Sequence, residues 1–174
     1  MTGGDHAAAR CKWAAWVNFG DAVCLGTVGI GCSAALCSHV TFNAGARVNP
    51  WTFKQDTPYR FQAKHQTYYA GARYWYRKVY SGWWTGASMQ FQEYNCGGFF
   101  SSETEEGNAY GLALAGGYSL VLCRHLNLDL GIGMWGGMTE FSEYSCPRCG
   151  RVISSGIKPF LRPNELIVSL VWIF

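Results

Sequence analysis

Over most of the chain, apolar and polar residues alternate with a period of two. From Leu126, the apolar positions Leu126, Leu128, Leu130, Ile132 and Met134 are separated by Asn127, Asp129, Gly131 and Gly133, with Trp135 next. Val40, Phe42, Ala44, Ala46 and Val48 alternate likewise with Thr41, Asn43, Gly45 and Arg47. Tyr68, Ala70, Ala72 and Tyr74 alternate with Tyr69, Gly71, Arg73 and Trp75, and Thr85, Ala87, Met89 and Phe91 with Gly86, Ser88, Gln90 and Gln92. Successive strand residues point to opposite faces, so each segment presents one apolar face and one small or polar face. That is the pattern of strands with lipid on one side and a tight interior on the other.

Two uncharged stretches, 22–38 and 107–123, have a length that invites a helical reading. Both are poor helices. The first holds Gly26, Gly29 and Gly31, the second Gly107, Gly111, Gly116 and Gly117. Each glycine costs about 0.5–1 kcal/mol in a helix interior. The second stretch also alternates, with Leu112, Leu114, Gly116, Tyr118, Leu120 and Leu122 against Ala113, Ala115, Gly117, Ser119 and Val121.

The alternation predicts a tail at 1–12 and one β domain at 13–174. Its strands fall near 13–24, 28–37, 40–48, 65–77, 83–95, 109–123, 126–143 and 164–174. Short connections at Ser38-His39, 78–82 and Arg124-His125 alternate with long ones at 49–64, 96–108 and 144–163. This layout predicts an all-β fold, an eight-stranded antiparallel transmembrane β-barrel of the OmpA type with short periplasmic turns and longer outer loops. Eight strands leave an interior just wide enough for side chains to fill, so the lumen is expected to be closed rather than a pore.

Composition sharpens this picture. Charged residues make up 14% and aromatics 16%, with 22 glycines and 5 prolines. A soluble domain ordinarily carries about a quarter charged residues, so something other than water is expected to cover part of the exterior. The net charge of +3 is small and the basic residues are scattered, which argues against nucleic acid as a partner. Residues 1–12 show no basic start followed by an apolar run, so no signal peptide is evident in a chain whose fold points to the outer membrane.

The last strand places Leu166, Val168, Leu170, Trp172 and Phe174 on one face. This resembles the C-terminal signal by which the outer-membrane assembly machinery recognises barrel substrates. Trp51, Trp83, Tyr94, Trp172 and Phe174 lie near predicted strand ends, as interfacial girdles require.

Four passages carry a resemblance: Gly20-Asp21-Ala22; Asn49-Pro50-Trp51-Thr52-Phe53; Lys64-His65 followed by Ala72-Arg73-Tyr74-Trp75; and Tyr144-Ser145-Cys146-Pro147-Arg148-Cys149-Gly150. In their order and spacing, from about residue 18 to the C-terminus, the chain resembles the Bacteroidota outer-membrane barrels grouped as domain of unknown function 3575. It departs from the family pattern at Gly71, where an acidic residue is common, and at Cys32 and Cys37, where other apolar or small residues are usual. The resemblance implies an outer-membrane barrel of undetermined molecular activity, with a surface role in the company of fimbrial or adhesin systems.

Candidate chemistry is sparse. Among eight cysteines, only Cys146 and Cys149 form a CxxC pair. A structural zinc site needs four ligands, and Cys96 offers only a third thiolate, so metal binding is the weaker reading and a local Cys146–Cys149 disulfide the stronger. A charge inside a barrel must be paired or wet, which marks Arg73 with Asp129, or with Glu165, as lumen polar candidates. Glu103, Glu105 and Glu106 form an acidic cluster in an outer loop, read as a solvated tip. The histidines are scattered, and no HExxH, GxSxG or P-loop pattern occurs, so no catalytic residue and no cofactor are expected.

The sequence thus points to a non-enzymatic outer-membrane barrel with a structural or surface-interaction role. Its expected partners are outer-membrane lipid and lipopolysaccharide, the assembly machinery, and a surface protein met through the long loops. The alternatives are a soluble lipocalin-like ligand-binding barrel, which requires the apolar faces inside, and an outer-membrane enzyme such as an acyltransferase or hydrolase.

Overall fold

The computed structural model describes residues 12–23, 26–53, 61–97, 104–144 and 151–174. Its strands are β1 (Trp13–Asn18), β2 (Val28–Ala35), β3 (Val40–Asn49), the two-residue β4 (Thr52–Phe53), β5 (Phe61–Trp75), β6 (Gly82–Gly97), β7 (Thr104–Cys123), β8 (Leu126–Tyr144) and β9 (Val152–Ile173). Sequence neighbours pair antiparallel except β3 and β4; β1 pairs with β9, β3 pairs with β5, and the short β4 pairs only with β5. The result is a closed eight-stranded barrel, in which closure removes most of the exposed sheet edge.

The alternation sorts side chains as the sequence implies. Asn127, Asp129, Gly133 and Trp135 face the lumen, and Leu130, Ile132 and Met134 face outward. The outward residues are well exposed, Met89 at 72%, Leu114 at 67% and Ile132 at 71%. Pairing aligns Tyr68, Phe91, Tyr110 and Met138 across β5 to β8 as one outward row. Two residues further toward the loop end, the next outward row is Gln66, Glu93, Asn108 and Glu140. The outer surface therefore passes from apolar to polar within one register step. A shallow groove of about 690 Å³ lies at this boundary, lined in part by Lys64, Gln66, Glu93, Asn108 and Glu140.

The largest departures from the expected strand limits are at β1, β7 and β9, with smaller ones elsewhere, such as β5 starting at Phe61 rather than near 65. β1 ends at Asn18 rather than near residue 24, and Gly20–Val23 form a 3₁₀ turn. Asn18 replaces the ladder where β1 leaves the sheet: its Oδ1 accepts from Gly20 N and Val168 N, and its Nδ2 donates to Leu166 O. A Cβ on Gly20 would collide with the Leu166 carbonyl, so only glycine permits this close crossing. β7 begins at Thr104, five residues before the expected start. β9 begins at Val152 rather than near 164, so most of the expected 144–163 loop is strand.

Prolines at 159 and 163 make 152–163 look like loop in sequence. Between Glu165 and Pro163, the pairing with β8 skips one residue, a β-bulge opposite Gly133 and Met134. Val168 and Leu166 direct their backbone groups toward β1 and Asn18, so Glu165 and Ile167 direct theirs toward β8. Beyond the bulge the parity reverses. Arg162, opposite Trp135, faces β8, and Pro159 and Pro163 turn their nitrogens to the edge that β1 no longer covers. A proline there removes no ladder bond, which is why β9 tolerates both.

Candidate functional site

The lumen is filled from the short-turn end upward. Ala14, Trp16, Trp75, Tyr80, Trp84, Ile167 and Val171 form a buried cluster at that end. Tyr80 comes from the β5–β6 turn, which folds into the barrel mouth. Its hydroxyl meets Ser33 Oγ at 3.0 Å and the Lys12 carbonyl at 3.3 Å, its carbonyl accepts from Asn127 Nδ2, and its ring packs edge-on against Trp75. Tyr80 has φ of 62°, a left-handed conformation uncommon for a bulky residue, and its ring is buried at the short-turn end.

Above this floor, each of three inward arginines lies over an aromatic ring and bonds a polar partner. Arg73 stands 4.1 Å from the Trp84 ring centroid, and its Nη1 donates to Asp129 Oδ2 at 3.0 Å. Arg47 stands 5.0 Å from the Tyr69 ring and donates to Gln90 Oε1 at 2.9 Å. Arg162 stands 4.9 Å from the Trp135 ring and donates to Gln92 Oε1. Cation–π contact contributes roughly 0.5–2 kcal/mol per pair, more where water is excluded. Trp135 also packs edge-on against Phe160, with Ala109 and Ala113 completing a second buried cluster.

Toward the loop end the lumen opens into a cavity of about 250 Å³, walled by Asp21, Thr27, Arg47, His65, Thr67, Gln92, Tyr94, Cys96, Arg162 and Pro163. This is smaller than most small-molecule pockets. His65 turns its Nδ1 to the Ala63 carbonyl at 3.2 Å. Asp21 sits in the 3₁₀ turn, outside the strands, with its side chain buried and Asn18 within hydrogen-bond reach. Burial pushes its pKa up to about 6, and the nearby Arg47 guanidinium only partly offsets this.

The structure joins two of the three lumen candidates read from sequence, Arg73 and Asp129, and leaves Glu165 half-buried on β9, opposite Gly133. Cys96 is a half-buried free thiol. Cys146 and Cys149 lie outside the described residues, and with them the disulfide and the three-thiolate site. Among the described residues, no three His, Cys, Asp or Glu converge as a metal site. Glu103 is also outside, while Glu105 bonds Tyr94 and Lys158, and Glu106 bonds Asn95 and Tyr144. Leu166, Val168, Leu170, Trp172 and Phe174 all line the outer face of β9, beside the seam with β1. Sequence reasoning missed Arg162 and Tyr80, which fell in connections, and gave Arg47 no role although its alternation already turned it inward.

Neither a curated protein nor a solved structure matches the chain. One family model matches it over residues 9–174, nearly the whole length and every strand of the barrel. The chain belongs to the family described as protein of unknown function (DUF3575).

Proposed function

We propose that this chain is an outer-membrane β-barrel with a structural or surface-interaction role and a closed lumen. The observation that carries this reading is the outward apolar belt and its abrupt polar limit at the row Gln66, Glu93, Asn108 and Glu140. On β8 the outward apolar run from Leu128 to Met138 covers 11 residues. A tilted strand needs about 9–11 residues to cross the hydrocarbon layer. At the opposite limit Trp13, Tyr76, Trp83 and Trp172 are exposed, which suits an interfacial girdle. A soluble carrier would need the reverse arrangement, with the apolar face inside; here the inward face carries Arg47, Arg73, Asp129 and Gln90.

The short turns then face the periplasm and the long strands the exterior. There β5 to β9 rise as a wall beyond the polar row, paired up to Gln62, Gly97, Thr104, Tyr144 and Val152, while β1 and β2 stop lower. Recognition tends to reside in elements displayed by a rigid scaffold, so this wall and the outer connections are the surface offered to a partner, in fimbrial or adhesin systems among others. The stacked arginines are read as filling rather than as catalytic groups.

The test is membrane fractionation of the native precursor, followed by electrophoresis with and without boiling. Recovery in the outer-membrane fraction with a heat-dependent shift is expected. A protein that stays soluble without detergent overturns the reading.

A further inference from the structure

Charge is unevenly divided between the two ends of the barrel. At the short-turn end Lys12, Arg77, Lys78 and Arg124 are all exposed. Among the described residues these turns hold no Asp or Glu. The described carboxylates lie in the lumen or toward the loop end, as with Asp129, Glu93 and Glu140. Among the described residues, none of the four basic side chains forms an ion pair with these carboxylates, whereas Arg73 pairs with Asp129 and Lys158 with Glu105.

The basic groups do not form a patch on one side. Lys12 precedes β1, Arg77 and Lys78 lie between β5 and β6, and Arg124 lies between β7 and β8. In the order of the sheet these are three separate sectors of the rim. Each of the three sectors also adjoins the apolar belt. Lys12 precedes Trp13 (56% exposed), Arg77 follows Tyr76 (59% exposed), and Arg124 comes two residues after the exposed Leu122. His125, next to Arg124, stacks on Trp172 with centroids 6.3 Å apart, and His39 stacks on Tyr74 at 6.1 Å.

We infer that this rim binds the phosphates of anionic phospholipids in the leaflet that surrounds the short-turn end. The inference deepens the proposed function and rests on it. Charge complementarity selects an anionic partner, and the geometry selects a lipid over a protein. Positive charges in three sectors of the circumference, each sector beside an exposed apolar side chain, meet headgroups arranged around the barrel. An acidic protein docking end-on would need a continuous patch instead. Basic side chains near an anionic membrane surface act over a Debye length, so the contact is salt-sensitive.

The full chain is refolded into phosphatidylcholine vesicles containing a minor fraction of phosphatidylglycerol. Spin-labelled phosphatidylglycerol or phosphatidylcholine then reports, by electron paramagnetic resonance, which lipid is held at the protein surface. A preference for phosphatidylglycerol of roughly twofold or more is expected, falling toward unity at about 1 M salt, where the Debye length is near 3 Å. The variant K12Q/R77Q/K78Q/R124Q is expected to lose the preference while keeping its heat-dependent mobility shift. The salt titration on the unmodified protein carries the test should the variant not fold. Equal retention of the two lipids by a folded barrel overturns the inference and leaves the barrel intact. So does a preference that survives in the folded variant, or binding of soluble poly-glutamate to the rim without any lipid preference. Failure to insert into any vesicle, with the chain soluble alone, overturns the membrane reading itself.

Discussion

Removing Arg73 should destabilise the barrel more than neutralising Asp129, although the two share one ion pair. The asymmetry follows from what each survivor keeps. The Asp129 side chain is 2% exposed and that of Arg73 is 16%. In Arg73→Gln, the Asp129 carboxylate stays buried with Ser119 beside it and no cation. Breaking a buried pair from that side costs about 3–5 kcal/mol. In Asp129→Asn, Arg73 keeps the Trp84 face at 4.1 Å and partial access to water. The amide oxygen still accepts a hydrogen bond, so the loss is nearer 1–3 kcal/mol.

The double variant R73Q/D129N removes both charges and should be no less stable than R73Q alone. The coupling is then at least as large as the D129N cost, about 1–3 kcal/mol, outside additivity. Urea titration of the barrel refolded in detergent micelles measures this, followed by fluorescence of the buried Trp16, Trp75, Trp84 and Trp135 and by unboiled mobility. An R73Q cost equal to or below that of D129N, or a double variant equal to the sum of the singles, refutes the reasoning.

Asp21 makes stability depend on pH. Its folded-state pKa is raised to about 6 from 3.8, so stability is fully present below pH 4 and is lost as pH rises through 6, by at most about 3 kcal/mol. Urea midpoints at pH 5 and 8 should differ in that direction, and Asp21→Asn should flatten the profile; a higher midpoint at pH 8 contradicts the assignment. The uncovered edge of β9 is guarded by Pro159 and Pro163, so P159V/P163V should restore edge donors and promote oligomers visible by light scattering. An unchanged monomer would show that the edge is protected otherwise. Tyr80→Ala should cost about 3–5 kcal/mol in urea titration and Tyr80→Phe about 1, because ring burial rather than the hydroxyl closes the lower lumen. Similar losses for both would reverse that order.

Much of this was legible in the sequence because a period of two fixes sidedness without any knowledge of partners. Leu126 to Trp135 and Val40 to Val48 are sorted correctly from alternation alone. Facing also selected Arg73 and Asp129 together, although 56 residues separate them. What stayed hidden depends on register. Pro159 and Pro163 look like loop residues until the bulge opposite Gly133 shows which way their nitrogens point. Arg162 was hidden with them, since its face has no meaning before 152–163 is known as strand. Tyr80 was hidden for another reason. A turn residue has no alternation to reveal it, and only its burial and contacts in the structure show that the turn folds inward.

The filling of the lumen bears directly on where function can lie. Arg47, Arg73 and Arg162 are matched in formal charge by Asp21, Asp129 and Glu165, and each arginine already has a ring and a polar partner. Below them the aromatic cluster and Tyr80 close the short-turn end. An interior so occupied gains stability from its own contacts and, among the described residues, leaves small cavities, one of them at the outer mouth. A conducting or ligand-carrying barrel would have to break these contacts at a cost of several kcal/mol. Among the described residues, the exposed features that remain unmatched within the molecule are on its outside: the apolar belt, the basic rim of the short turns, and the wall of β5 to β9. Interaction through those surfaces is therefore the economical reading of this fold, with the lumen serving to hold them in place.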